Sequence, residues 1–254
     1  MNSVIVFVII GIIAGITVAG FLAGYLTVYV MNKMPAEWLT DYGETPEESL
    51  LGTRIAKRPY ALVLSLTFVM SFTFLAMQYD GPFYTLAGML ILWLLMLIGI
   101  SDYHYMIIPD QLVVALAIAA IPYIGLDFAA LSAGHMIYFH SSYLSPLFGA
   151  LVGGGSLWLI GLIGSLMTKK EAMGFGDVKL LAAIGLICGL RGILIVLIIT
   201  ILTSGLWFIL LLLTKKIQRG ENKPLGPYIA AACAIYIVFY NQVNHLVNLY
   251  LSLY

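Results

Sequence analysis

Three carboxylates stand apart from the other acidic residues of this 254-residue chain. Asp102, Asp110 and Asp177 each border a long apolar run, and none has a basic residue beside it in sequence, Lys179 being two positions beyond Asp177. Of the remaining acidic residues, Glu37, Asp41, Glu44, Glu47 and Glu48 crowd one polar stretch, Asp80 and Asp127 fall between other apolar runs, and Glu171 and Glu221 lie near lysines. Two carboxylates at one membrane face can share a proton. The ionised one then takes a proton from water while the protonated one polarises a carbonyl, which is the chemistry of aspartyl hydrolysis. Intramembrane carboxylates serve a proton-coupled transporter equally well, so spacing alone leaves both readings open. Asp110 follows Pro109 and opens an apolar run, which makes it a helix cap before it is a catalyst.

Asp177 sits in EAMGFGDVKLLAAIGLICGL. The thirteen residues from Val178 to Leu190 make about 20 Å of helix, short of an apolar membrane core of about 30 Å. Adding Ala172 to Asp177 restores a full span, which puts Asp177 a turn or more inside the membrane. Gly174 and Gly176 are expected to loosen the backbone there and let an extended substrate strand come close.

The elements that must hold these groups are membrane helices. The chain is 62% hydrophobic and 9% charged, too little charge for the surface of a soluble domain. Apolar segments near 4–31, 60–78, 83–101, 107–126, 144–167, 172–190, 192–214 and 226–240 predict an all-α polytopic membrane protein with eight transmembrane helices. The first segment is too long for a signal-peptide core and lacks a basic leader, so it reads as a retained helix. Residues 241–254 read as an interfacial tail. The expected organisation is a first membrane helix at 1–31, a short cytoplasmic loop or reduced domain at 32–59, and a transmembrane core at 60–254.

With both termini outside, all of the 12 basic residues except Arg191 fall on the cytoplasmic side, as the positive-inside rule requires. That orientation places Asp102 and Asp177 at the cytoplasmic edge. The loop 32–59 reads as solvated or as a substrate-docking surface, with Thr45-Pro46-Glu47-Glu48 starting a short helix. His135 and His140 lie in a loop read as aromatic and interfacial rather than metal-binding. Cys188 and Cys233 read as packed core thiols, and without CxxC no zinc knuckle or redox pair is expected. A net charge of zero gives no indication of nucleic-acid binding.

Several segments then resemble one family. Asp102-Tyr-His-Tyr-Met-Ile-Ile-Pro109-Asp110 resembles the D-x5-I-P-D element of bacterial type IV prepilin peptidases, and Gly174-Phe175-Gly176-Asp177-Val178-Lys179 resembles their GxGD element. Pro224-Leu225-Gly226-Pro227-Tyr228-Ile229-Ala230 is similar to their closing GPY segment, and Gly20-Phe21-Leu22 is faintly similar to an early G-S-F-L-N stretch. The resemblance covers about residues 85–235 well and the first 60 poorly. It implies a membrane aspartyl endopeptidase of the bacterial cytoplasmic (inner) membrane that removes leader peptides from type IV prepilins or type II secretion pseudopilins. It implies Asp102 and Asp177 as the catalytic pair, Gly174, Phe175 and Gly176 against the substrate, no cofactor for proteolysis, and S-adenosylmethionine where the new terminus is also methylated. Many members carry paired CxxC motifs between the first two helices. Here the loop 32–59 is about half the expected size and has no cysteine, which separates the peptidase expectation from the methyltransferase one. Oligomeric state and the particular pilin are not legible.

Overall fold

The structure, a computed structural model, describes residues 3–40, 45–46, 50, 52–56, 58–79, 81–135, 137–168, 174–215 and 223–253, and the side chains of these from residue 10 onward except that of Thr168. The expected helix start at Thr45-Pro46-Glu47-Glu48 falls partly outside the described residues. Every long element is helical: α1 (Ser3–Lys33), α2 (Tyr60–Gln78), α3 (Pro82–Tyr105), α4 (Asp110–Ala133), α5 (Ser145–Thr168), α6 (Phe175–Leu213), α7 (Gly226–Val238) and α8 (Tyr240–Leu251). Among the described residues, six helices are long and apolar enough to cross a membrane, or seven if the bent pair α7 and α8 counts as one. That count does not confirm the expected eight.

The difference lies mainly in α6. Its 39 residues would make about 58 Å of straight helix, nearly twice a membrane core. Gly189 interrupts it, with φ 64° and ψ −176°, a left-handed geometry open to glycine. A Cβ on Gly153 of α5 would touch both the Leu181 carbonyl and Ile193 Cγ1, the latter at 2.9 Å. A straight helix would hold Leu181 and Ile193 about 18 Å apart, so α6 folds back at Gly189. The sequence expectation separated 172–190 from 192–214 at this same place.

The chain forms two compact units, Met1–Trp93 with Ile237–Tyr254, and Leu94–Tyr236. In the first, α1 meets α2 along Gly20 and Gly24. A Cβ at Gly20 would lie 2.7 Å from Val69 Cα, and one at Gly24 would lie 2.6 Å from Ser65 Cα. Backbone approach of this kind is how helices associate where lipid supplies no hydrophobic drive. The end of α1 is tied to residues 50–55 by side chains. Asn32 Oδ1 accepts the N–H groups of Arg54 (2.7 Å) and Ile55 (2.9 Å), and Asn32 Nδ2 donates to the Ile55 carbonyl (2.9 Å). Arg54 donates to the carbonyls of Met31 (3.0 Å), Met34 (2.7 Å) and Leu50 (2.9 Å), satisfying orphan acceptors at the helix end. Helix α8 has no buried residue, and the chain bends by 89° between α7 and α8.

In the second unit, α5 lies against α6 through Gly149, Gly153 and Gly154, with Gly149 and Gly185 in backbone contact. The thiols of Cys188 and Cys233 are buried 3.9 Å apart.

Candidate active site

Asp102 closes the apolar run of α3. It occupies the last turn of α3, which continues to Tyr105, and is 5% exposed. Met106 closes that helix in left-handed geometry (φ 54°), its N–H donating to the Asp102 carbonyl at 2.9 Å. Ser101 Oγ then donates to the Ile107 carbonyl at 2.8 Å, folding the chain back under the helix before Pro109 starts α4. The Asp102 side chain accepts a hydrogen bond of 2.8 Å from the N–H of Gly226. Gly226 is the first residue of α7, so its N–H is one of the donors a helix start leaves without an internal partner. A side chain there would have no room: its Cβ would stand 2.6 Å from Asp102 Oδ2 and 2.9 Å from Cγ. Sequence reasoning reached Gly226 only through the GPY resemblance; its role as donor to Asp102 has no signal in the chain itself.

Asp177 is the third residue of α6, after Gly174 in extended geometry (φ −67°, ψ 129°). Gly176 is helical, so of the two glycines expected to loosen the backbone only Gly174 lies outside the helix. Asp177 is partly buried, and its Oδ1 is buried with no hydrogen-bond partner. Asp102 is near enough for its charge to act on Asp177. Among the described residues neither carboxylate takes part in an ion pair. The two aspartates thus stand at the end of α3 and at the start of α6.

Lys179, two positions on, is engaged elsewhere. Its Nζ donates to both oxygens of Asp110 at 2.8 Å and lies 5.1 Å from the centre of the Phe175 ring. Asp110 is thus not the side-chain cap of α4: the N-cap position is Pro109, which makes no side-chain cap bond, and the Asp110 carboxylate ties α4 to α6. Of the three residues expected to meet substrate, Gly174 adjoins the carboxylate, a Cβ there lying 3.6 Å from Asp177 Oδ2. Phe175 is exposed. A Cβ on Gly176 would approach Ile108 Cβ to 3.2 Å, so α6 lies close to the turn before α4 there.

Residues 89–209 match the Type IV leader peptidase family. Over this stretch the chain belongs to that family. The matched stretch of the leader peptidase family contains both aspartates. Relatives named Prepilin leader peptidase/N-methyltransferase include one of Aeromonas salmonicida, 33% identical over 185 residues, which are 73% of this chain and 60% of the relative. Another, of Xanthomonas campestris pv. campestris, is 37% identical over 150 residues, 59% of this chain and 47% of the relative. A third, of Pseudomonas aeruginosa, is 30% identical over 190 residues, 75% of this chain and 61% of the relative. The matched part of the chain thus spans about three fifths or less of these curated relatives. No solved structure matches it.

Two expectations about the segment after α4 need correction. Asp127 is not in an outside loop. It lies inside α4, which runs on to Ala133 and stops at the left-handed Gly134 (φ 70°), and it is fully buried. Tyr138, Phe139 and His140 are buried as well, so this stretch is core rather than an interfacial aromatic surface. The helix through Asp127 was findable: apolar residues continue past it to Gly134, a residue type that ends helices.

Proposed function

We propose that the chain is an aspartyl endopeptidase of the bacterial inner membrane that removes leader peptides from prepilins or pseudopilins at the cytoplasmic face. Asp102 and Asp177 are its catalytic pair. The observation that carries this reading is two neighbouring carboxylates, outside any ion pair among the described residues, at the end of α3 and the start of α6 within a leader peptidase segment. In the singly protonated pair, the ionised carboxylate takes a proton from a water molecule as its oxygen attacks the scissile carbonyl, and the other carboxylic acid donates to the carbonyl oxygen. Collapse breaks the C–N bond, and the departing amine takes up the proton. Gly174 leaves the face of Asp177 open for an extended backbone, with Phe175 and Gly176 continuing that edge.

The proposed peptidase core is 60–254, with 32–59 a reduced cytoplasmic segment and both termini on the other side of the membrane. The bilayer and the prepilin are the partners. The transporter alternative is less well supported, because it calls for carboxylates midway along broken helices, whereas both aspartates occupy terminal turns. Methylation of the new terminus would need S-adenosylmethionine. Among the described residues, the buried polar groups Ser101, Asp127, His140 and Ser145 are occupied by partners within the chain. These four groups are committed to contacts within the chain.

The test is processing of a prepilin in membranes carrying Asp102→Asn or Asp177→Asn. Each is expected to abolish cleavage while the protein still inserts. Normal processing by either variant refutes the pair. The mass of the mature pilin reads methylation separately.

A further inference from the structure

At Gly189, where α6 leaves helical geometry, two of its backbone groups bond to side chains from the segment between α4 and α5 and from the first residue of α5. The Leu190 N–H donates to Ser145 Oγ at 3.3 Å. The Leu186 carbonyl faces His140 Nε2 at 2.9 Å. His140 is backed by Asp127, and both side chains are fully buried. Asp127 Oδ2 accepts from His140 Nδ1 (2.8 Å) and from the N–H groups of Phe139 and His140 (2.9 Å each), while Oδ1 accepts the N–H of Tyr138 at 3.2 Å. The fit at the break is close: a Cβ on Gly189 would meet Ser145 Oγ at 2.6 Å and the Phe139 carbonyl oxygen at 2.7 Å.

A buried carboxylate is maintained only when it is paired and hydrogen-bonded this completely, yet the proposed hydrolysis makes no use of this one. Its reach is mechanical. Leu186 belongs to the arm of α6 that begins at Phe175 and carries Asp177. From Gly189 to Asp177 that arm is about 18 Å long, so a tilt of about 3° at the break moves the carboxylate by about 1 Å. A misplacement of that size costs on the order of a hundredfold in rate. Against α5 the arm rests in part on glycines, Gly149, Gly153 and Gly154, which themselves contribute no side chain to hold it.

We propose that Asp127 and His140, with Ser145, form a latch on the α6 break that sets the position of Asp177. They are positioning residues for the hydrolysis, and the proposal rests on the reading of Asp177 as catalytic. The test uses the full chain in proteoliposomes, with His140→Ala and Ser145→Ala each made alone and in combination with Phe175→Cys. The single variants are assayed for prepilin cleavage. The combined ones are assayed for the rate at which a maleimide labels the thiol at position 175. Cys188 and Cys233, both fully buried, stay unlabelled as long as the fold is intact. His140→Ala is expected to lower kcat by about tenfold or more with KM within about twofold, and to change the labelling rate at position 175. Ser145→Ala should do the same to a smaller extent. Native turnover and native labelling in folded His140→Ala overturn the latch. Should His140→Ala expose the buried cysteines, Ser145→Ala decides, and native behaviour in it overturns the proposal. A wild-type chain that cleaves no prepilin refutes the peptidase reading instead, while the labelling comparison, which needs no substrate, still reports on the latch.

Discussion

Replacing Gly226 by alanine tests the architecture around Asp102 with a single methyl group. The added Cβ would stand 2.6 Å from Asp102 Oδ2 and 2.9 Å from Cγ. Ordinary contact begins near 3.4 Å, so the carboxylate must retreat by about 0.8 Å. It has little space to do so, being 5% exposed in the last turn of α3. Retreat also lengthens the 2.8 Å bond from the Gly226 N–H, and a hydrogen bond to a charged group is worth about 1.5–3 kcal/mol. Misplacing a reacting group by about 1 Å costs on the order of a hundredfold, so Gly226→Ala should lower kcat by roughly 30- to 100-fold. The assay is cleavage of a purified prepilin at saturating substrate, read on gels, with the fold checked by the inaccessibility of Cys188 and Cys233. Turnover within about threefold of native in a folded variant would refute the claim that this amide and this empty space position the carboxylate.

Three further outcomes follow from contacts away from the reacting groups. Lys179→Ala removes a pair whose side chains are 31% and 37% exposed, so it should cost no more than about 0.5 kcal/mol in thermal unfolding and leave Asp177 able to work. Gly24→Val forces α1 from the Ser65 backbone and should destabilise the protein by about 2–3 kcal/mol in the same measurement. Arg54→Ala leaves the carbonyls of Met31 and Met34 without their donor and should cost about 1–2 kcal/mol, read as faster proteolysis within 50–56 by an added protease.

Asp102, Asp110 and Asp177 stood out because carboxylates in a chain this apolar are few and these three carry no adjacent cation; the family resemblance, not spacing, singled out Asp102 and Asp177. The break at Gly189 was legible in part. The sequence divides near Arg191 because a charge and two glycines interrupt the apolar run, but nothing there says that a histidine 46 residues earlier would meet the Leu186 carbonyl. Asp127 was misplaced because a charge in an apolar stretch reads as a loop. Its burial depends on backbone N–H groups from residues 138–140, and such partners have no local signature. Asp110 was misread for a related reason. Its position at a helix start suggests a cap, whereas its actual partner is Lys179, 69 residues away. Contacts between neighbours along a helix can be read from spacing. Contacts made by folding cannot.

The tether at the end of α1 has a consequence for where such a protein can work. Asn32 and Arg54 hold residues 50–55 through backbone carbonyls and N–H groups alone. A metal-bound or disulfide-bonded loop forms only where the ion or the oxidant is available. The described contacts of this one are all made by groups of the chain itself, so they form at whatever zinc supply or thiol potential surrounds them.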